Sequence, residues 1–182
     1  MRQRGLKILE QATRAEAIRQ ARSAEDIALA RALFVEYARD IQVDLCFQGF
    51  EEELATLPGA YAPPRGRLLL AGTPGAAFGC IALRPLDTTL GRGSGTSRRT
   101  RALVAEVKRL YVQLPYRSQG LGKRLARALC DEARAVGYRE LRLDALLWMT
   151  AARALYSELG FRECAPYYDS PLADTVYMTL TL

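Results

Sequence analysis

The sequence predicts one domain built on a mixed α/β sheet. Three observations predict it: helical spacing dominates the first sixty residues, a hairpin signal follows at Gly72-Thr73-Pro74-Gly75, and from Leu103 onward the order is strand, helix, strand, helix, strand, strand, without internal repeats. At 182 residues the chain suits a single domain, and a hydrophobic fraction of 49% against 25% charged residues supplies a buried core.

The elements follow in order. Residues Met1 to Glu16 read as a polar, basic extension, leaving 17–182 as the domain. Ala17 to Arg22 suits a first strand or a helical turn. Ser23-Ala24-Glu25-Asp26 reads as a helix N-cap with carboxylates in the first turn, and Ile27, Ala30, Phe34, Tyr37 and Ile41 then form one apolar stripe. A shorter helix over Phe50 to Leu57 turns Phe50, Leu54 and Leu57 inward and Glu51, Glu52 and Glu53 outward, before Pro58-Gly59 and Pro63-Pro64 break the chain. Arg67 to Ala71 and Ala77 to Leu83 are the two hairpin strands. Gly91 to Arg101 is a low-complexity loop carrying four arginines, an electrostatic guide or a spacer. Leu103 to Val112 is a strand whose phase changes: Leu103, Ala105 and Val107 alternate inward, yet Leu110 and Val112 take the opposite phase. One extra residue, a β-bulge, reconciles the halves. Leu121, Leu125, Leu129, Ala133 and Val136 mark an amphipathic helix stopped by Gly137. Leu141 to Ala145 is a strand, Ala151 to Leu159 a helix ended by Gly160, and Phe161 to Ala165 and Thr175 to Leu182 are closing strands.

Composition excludes several chemistries. There is no histidine, so a general base or triad must be built without imidazole. Cys46, Cys80, Cys130 and Cys164 are scattered, which argues for buried thiols and against a metal site. No apolar run is long enough for a membrane span and no secretory signal opens the chain, so the expectation is a cytoplasmic protein with no membrane partner. The net charge of +6 raises nucleic acid as a partner, but the arginines lack interleaved aromatics for base stacking; an anionic small molecule explains the charge better.

The informative motif is Arg117-Ser118-Gln119-Gly120-Leu121-Gly122, between a strand and a helix. Gly120 and Gly122 remove side chains so that backbone N–H groups can approach an anion, the helix adds its positive end, and Arg117, Lys123 and Arg124 add charge. It is neither a Walker loop, which needs glycine at 117 and Ser or Thr at 124, nor a dinucleotide fingerprint, whose third glycine falls on Leu125. A pyrophosphate cradle and a plain glycine-containing turn are the two readings of the motif alone.

Its context decides between them. Glu106 to Val112, Tyr116 to Gly122 and Ala154 to Phe161 together resemble the GNAT superfamily of N-acetyltransferases. The R-x-x-G-x-G signature matches at Arg117, Gly120 and Gly122, and A-x-x-x-Y-x-x-x-G-F at Ala152, Tyr156, Gly160 and Phe161. Asp44 to Gln48 with Glu51 to Leu54 is similar to a bacterial branch with undefined acceptors. One position departs: Met149 stands where many relatives carry asparagine seven residues before the tyrosine.

The resemblance implies an α/β (α+β) fold with a mostly antiparallel sheet, flanked by helices, whose central strand pair splays to bind acetyl-CoA. It implies cofactor contacts from the strand backbone at Leu110, Tyr111 and Val112 and from Arg117, Ser118, Gln119, Gly120, Leu121, Gly122 and Lys123. It implies acetyl-CoA as acyl donor, no metal, and a small-molecule or peptide amine as acceptor, and it admits a homodimer. The reaction it implies is direct attack of a primary amine on the thioester in a ternary complex. A lysine-like amine is free in only roughly one molecule per thousand at neutral pH, a cost of about 4 kcal/mol, so a base is needed. Glu106 is the candidate base, or else a solvent-facing residue paired with Lys108. Tyr156 matches the family's general acid for the leaving thiolate, or else is a helix tyrosine with a buried ring. Tyr167, Tyr168 and Asp169 fall where relatives bind acceptors. A silent acyl-CoA sensor and a basic nucleic-acid module are the other classes; Glu106 and Tyr156 favour the enzyme over the first, and the lack of stacking aromatics disfavours the second.

Overall fold

The computed structural model describes residues 17–73, 75–86 and 103–182, so the extension before Ala17 and the loop Gly91 to Arg101 lie outside the described residues. Seven strands form one sheet in the order β1-β2-β3-β4-β5-β7-β6. They are β1 (Ala17–Gln20), β2 (Arg67–Thr73), β3 (Ala76–Pro85), β4 (Val104–Val112), β5 (Glu140–Leu146), β6 (Arg162–Glu163) and β7 (Thr175–Thr181). Every neighbouring pair is antiparallel except β4 and β5. The helices are α1 (Ala24–Ile41), α2 (Phe50–Thr56), α3 (Leu121–Val136) and α4 (Thr150–Glu158). The mixed, mostly antiparallel α/β architecture is the expected one.

Local chemistry sets the helix ends. Ser23 and Asp26 form a reciprocal capping box on α1. Gly137, at φ 96°, ends α3 in the left-handed conformation that glycine adopts without cost. The segment Ala17–Gln20 pairs with β2 and is therefore a strand. The run Leu68-Leu69-Leu70-Ala71 is apolar throughout because both faces of β2 are covered. Leu69 and Ala71 pack with Leu121, Leu125 and Leu129 of α3, while Leu68 and Leu70 pack with Leu33 and Phe34 of α1. Each fully buried leucine or phenylalanine contributes roughly 1.5–3 kcal/mol relative to an exposed one. Leu103, expected inside, is 40% exposed because the strand begins one residue later.

The expected bulge lies in β4. Cys80 pairs with Tyr111 and Ala82 with Lys108, so two β4 residues, Arg109 and Leu110, face Ile81 alone. Arg109 takes φ 58°, a conformation that costs a non-glycine residue roughly 1–2 kcal/mol. Its buried guanidinium holds it there. Nε donates to Glu53 Oε1 at 2.9 Å, Nη2 to Oε2 at 2.6 Å and Nη1 to Gln48 Oε1 at 3.1 Å, with the Phe50 ring 5.1 Å away. Glu53 therefore points inward, against the sequence expectation, because a buried arginine needs a counter-charge more than the short helix α2 needs a third exposed glutamate.

Burial pushes the Glu53 carboxyl up, but the Arg109 and Tyr61 hydrogen bonds outweigh it and hold it below its ordinary value. Glu53→Ala should lower unfolding stability by about 3–5 kcal/mol in urea, since it leaves Arg109 buried and unpaired. The sign with pH follows from the lowered value: the contribution is complete above the unfolded pKa of about 4.3 and is lost as pH falls through the folded one. Stability of the alanine variant should accordingly depend less on pH in that acid range.

Candidate active site

Beyond the bulge, β4 parts from β5. The parallel ladder consists of Val104 with Glu140, Ala105 with Leu141 and Glu106 with Arg142, and it ends there although both strands continue. The result is a fork whose inner edges, from Val107 on β4 and from Leu143 on β5, have no partner strand among the described residues. Their backbone groups are available to a ligand.

Two connected cavities occupy the fork. The outer cleft, about 360 Å³, is lined by Leu110, Tyr111, Val112, Arg117, Trp148 and Met149 among others. The inner one, about 60 Å³, is lined by Lys108, Leu110, Asp144, Ala145, Met149 and Tyr156 among others, and shares Tyr37, Leu110, Met149 and Ala152 with the cleft. A third pocket of about 210 Å³ adjoins the inner cavity through Gln48 and is lined by Glu52, Glu53, Tyr61 and Arg84 among others.

At the outer end, Ser118 and Gly120 take φ of 62° and 76°, and α3 starts at Leu121. The first bond closing the helix runs from Arg124 N–H to Gly120 O at 3.0 Å, so the N–H groups of Leu121, Gly122 and Lys123 precede the intrahelical ladder. A Cβ on Gly120 would meet nothing within 4 Å, and one on Gly122 would make ordinary contacts with Leu155 and Val112 at 3.5 and 3.8 Å. Gly120 is explained by its positive φ; the packing itself would accept alanine at Gly122. Gln119 donates to Pro115 O at 3.2 Å, and Lys123 pairs with Glu158 of α4. Arg117 turns back into the cleft: Nε donates to Val112 O at 2.7 Å, Nη2 to Asp40 Oδ2 at 2.7 Å, and the guanidinium lies over the Tyr111 ring at 5.4 Å. Tyr111 also donates to Asp40 Oδ2 at 2.9 Å; burial, followed by that hydrogen bond, pushes its phenol up to about 12.

At the inner end, one face of the sheet carries a row of charge beneath the third pocket and the segment before β7. Arg84, Glu106 and Arg142 are cross-strand neighbours on β3, β4 and β5. Glu106 is 2% exposed and accepts from Arg84 Nε at 2.7 Å and from the Tyr167 hydroxyl at 3.0 Å, with Lys108 Nζ 3.8 Å away. It is therefore neither solvent-facing nor paired with Lys108 alone. Lys108 Nζ donates to Asp144 Oδ1 at 2.9 Å. Tyr156 is buried in α4 with its ring edge-on to Phe161; burial, reinforced by Tyr37 and Asp144, pushes its phenol up, so it stays protonated. Among the described residues its hydroxyl has no hydrogen-bond partner.

The structure thus brings Leu110, Tyr111, Val112 and Arg117 to one cleft, the turn Ser118 to Lys123 to its end, and Tyr156 to the inner cavity beside it, with Glu106 one residue pair further in. Sequence reasoning missed Asp144, Lys108, Tyr37 and Asp40. The signal for Asp144 was its place on the polar phase of Leu141-Arg142-Leu143-Asp144-Ala145.

The chain matches the acetyltransferase (GNAT) family model over residues 30–161. It is 34% identical over 151 residues to an uncharacterized N-acetyltransferase of Schizosaccharomyces pombe, covering 82% of this chain and 85% of that one. An IAA acetyltransferase of Azospirillum brasilense is 35% identical over 106 residues, 58% of this chain and 61% of its own. The fold is similar to that of an acetyltransferase from Streptococcus agalactiae, with a TM-score of 0.68 at 18% identity over 92% of this chain and 98% of that one. It is also similar to yncA of Salmonella typhimurium, solved with acetyl-CoA, with a TM-score of 0.59 at 21% identity over 92% and 94% of the two chains.

Trp148 is the only tryptophan and lines the outer cleft, so its emission should change as acetyl-CoA is titrated in. Gly120→Asp forces a side chain into positive φ and places a carboxylate at the helix end, and should weaken that titration at least tenfold. An unchanged titration midpoint would remove the turn from the binding site.

Proposed function

This chain belongs to the GNAT acetyltransferase family and is an acetyl-CoA-dependent N-acetyltransferase, and from that premise we propose that it acetylates a primary amine by direct attack in a ternary complex within the β4–β5 fork. The observation that carries this reading is the fork itself, unpaired strand edges leading from a helix N-terminus to a cavity lined by Tyr156. Pantetheine amides pair with the free edge at Leu110, Tyr111 and Val112. The pyrophosphate takes the N–H groups from Ser118 to Lys123. Arg117 leaves Asp40 for the incoming anion, an exchange of one charge-assisted bond for another.

The acceptor approaches from the third pocket and the segment holding Tyr167. As an ammonium it is inert, and with no histidine in the chain a carboxylate removes the proton. Glu106 is the base read from the sequence; it is buried beside Lys108, one residue pair from the inner cavity, and is the first carboxylate to test in that role. Tyr156 supports departure of the thiolate. Its raised pKa makes full proton transfer to a thiolate, whose thiol has a pKa near 8.5, more uphill than for an ordinary phenol, so its contribution is a hydrogen bond that holds the sulfur.

The Azospirillum relative's name points to an indole carboxylic acid; for this chain an amine carries the reading, because a free amine attacks a thioester without further activation. A screen of amines with release of CoA thiol as readout identifies the acceptor. On that acceptor, Tyr156→Phe should lower kcat about tenfold, the worth of one hydrogen bond. Glu106→Gln should lower it by roughly 10²- to 10⁴-fold with acetyl-CoA affinity preserved. No CoA release with any amine, despite tight acetyl-CoA binding, would leave an acyl-CoA sensor as the better reading.

A further inference from the structure

We propose that Asp144 is the carboxylate on which the acceptor's amine is seated and to which it gives its proton, with Lys108 and Tyr168 as positioning residues. The inference rests on the acetyltransferase reading and goes beyond it by naming a second carboxylate. Asp144 follows the last β5 residue paired with β4 by two positions, so it stands just inside the fork on the same face as Arg142. It lines the inner cavity together with Tyr156, and Glu106 does not.

Its hydrogen bonding is incomplete. Oδ1 accepts from Lys108, whereas Oδ2 accepts from no described residue. Beside it, the Tyr168 hydroxyl is shut off from solvent and lies against the Asp144 carboxylate without completing a hydrogen bond of ordinary geometry, a contact that an entering polar group replaces. Glu106, by contrast, is held on both oxygens, by Arg84 and by Tyr167. An ammonium entering from the acceptor pocket therefore finds the less fully bonded carboxylate at Asp144.

Several elements pack groups around Asp144. Facing it are Lys108 from β4, Tyr37 from α1, Tyr156 from α4, Tyr177 from β7, and Tyr167 and Tyr168 from the segment before β7. The phenols are neutral at neutral pH; the charged neighbours are Lys108, bonded to Asp144 at 2.9 Å, and Glu106, 3.8 Å from the same ammonium. Arg142 lies two residues back on the same strand and is paired with Glu140.

The step balances. The ammonium passes one proton to Asp144, and the amine lone pair forms the C–N bond at the acetyl carbon. The C–S bond breaks with its electron pair on sulfur. Of the three ammonium protons, one stays on the amide, one ends on the departing CoA sulfur while the Tyr156 hydroxyl holds that sulfur by a hydrogen bond, and one is released from Asp144 to water.

Two probe amines separate the roles. Ethylamine is protonated at neutral pH and requires a base; hydroxylamine is largely unprotonated and does not. With saturating acetyl-CoA, Asp144→Asn should lower kcat/KM for ethylamine by about 10²-fold or more, and far less for hydroxylamine, with the Trp148 titration unchanged. Lys108→Met removes the group that holds Asp144 Oδ1 and should raise KM for ethylamine with the Trp148 titration unchanged, and Lys108→Arg should restore it. Equal losses on both amines for Asp144→Asn would mean a structural role and overturn the proposal. An amine-selective loss confined to Glu106→Gln would also overturn it, while leaving the acetyltransferase reading intact. Failure of the wild type to bind acetyl-CoA would instead defeat that reading.

Discussion

The Arg109–Glu53 ion pair is the constraint on which the rest of the site depends. A positive φ at a non-glycine residue persists only when its surroundings hold it, and here two charge-assisted bonds from a buried glutamate, a glutamine and an aromatic face do so. The extra residue shifts the phase of β4, so that Val107 faces the α3 side of the sheet and Tyr111 the α1 side. The same residue pulls α2 onto the sheet, which brings Gln48 to the border between the inner cavity and the third pocket. One strained backbone position thereby couples the geometry of the fork to the segment that closes it on the acceptor side.

The fork divides two kinds of electrostatics. At the α3 end, backbone N–H groups and arginine offer positive potential with little burial, suited to a polyphosphate that arrives and leaves. At the inner end, the charges are buried and matched: Arg109 with Glu53, Arg84 with Glu106, Lys108 with Asp144. Buried pairs of this kind add little net stability, but removing one partner is costly, so they fix positions. A reaction that moves a proton between nitrogen, oxygen and sulfur benefits from groups that do not rearrange when charge appears. The absence of histidine makes this arrangement of carboxylates and phenols the available route.

Much of this was legible in the sequence, for physical reasons that differ by element. The bulge could be read because a strand covered on both faces has a phase, and Leu110 and Val112 broke it. The turn from Arg117 to Gly122 could be read because glycine at those spacings has few other uses beside a helix start. Which residue carries the bulge could not be read, since nothing local marks an arginine for positive φ; the cause, Glu53, lies fifty-six positions away. For the same reason Glu53 looked like its neighbours Glu51 and Glu52. Asp144 was hidden because a polar residue on an amphipathic strand is ordinarily solvated, and only the layer of Tyr167, Tyr168 and Tyr177 over that face makes it otherwise. Leu103 was misplaced by one residue at a strand end, where periodicity carries least information.

The free edge of β4, together with the start of α3, is where we propose that acetyl-CoA binds. Amide hydrogen exchange with and without acetyl-CoA tests it most directly. The account predicts that amides at Leu110, Tyr111 and Val112, and those from Gln119 to Lys123, gain protection on addition of acetyl-CoA, while β2 and the α3 core positions near Leu125 and Leu129 stay protected throughout. Protection confined to another part of the molecule, with both of these segments unchanged, would contradict it.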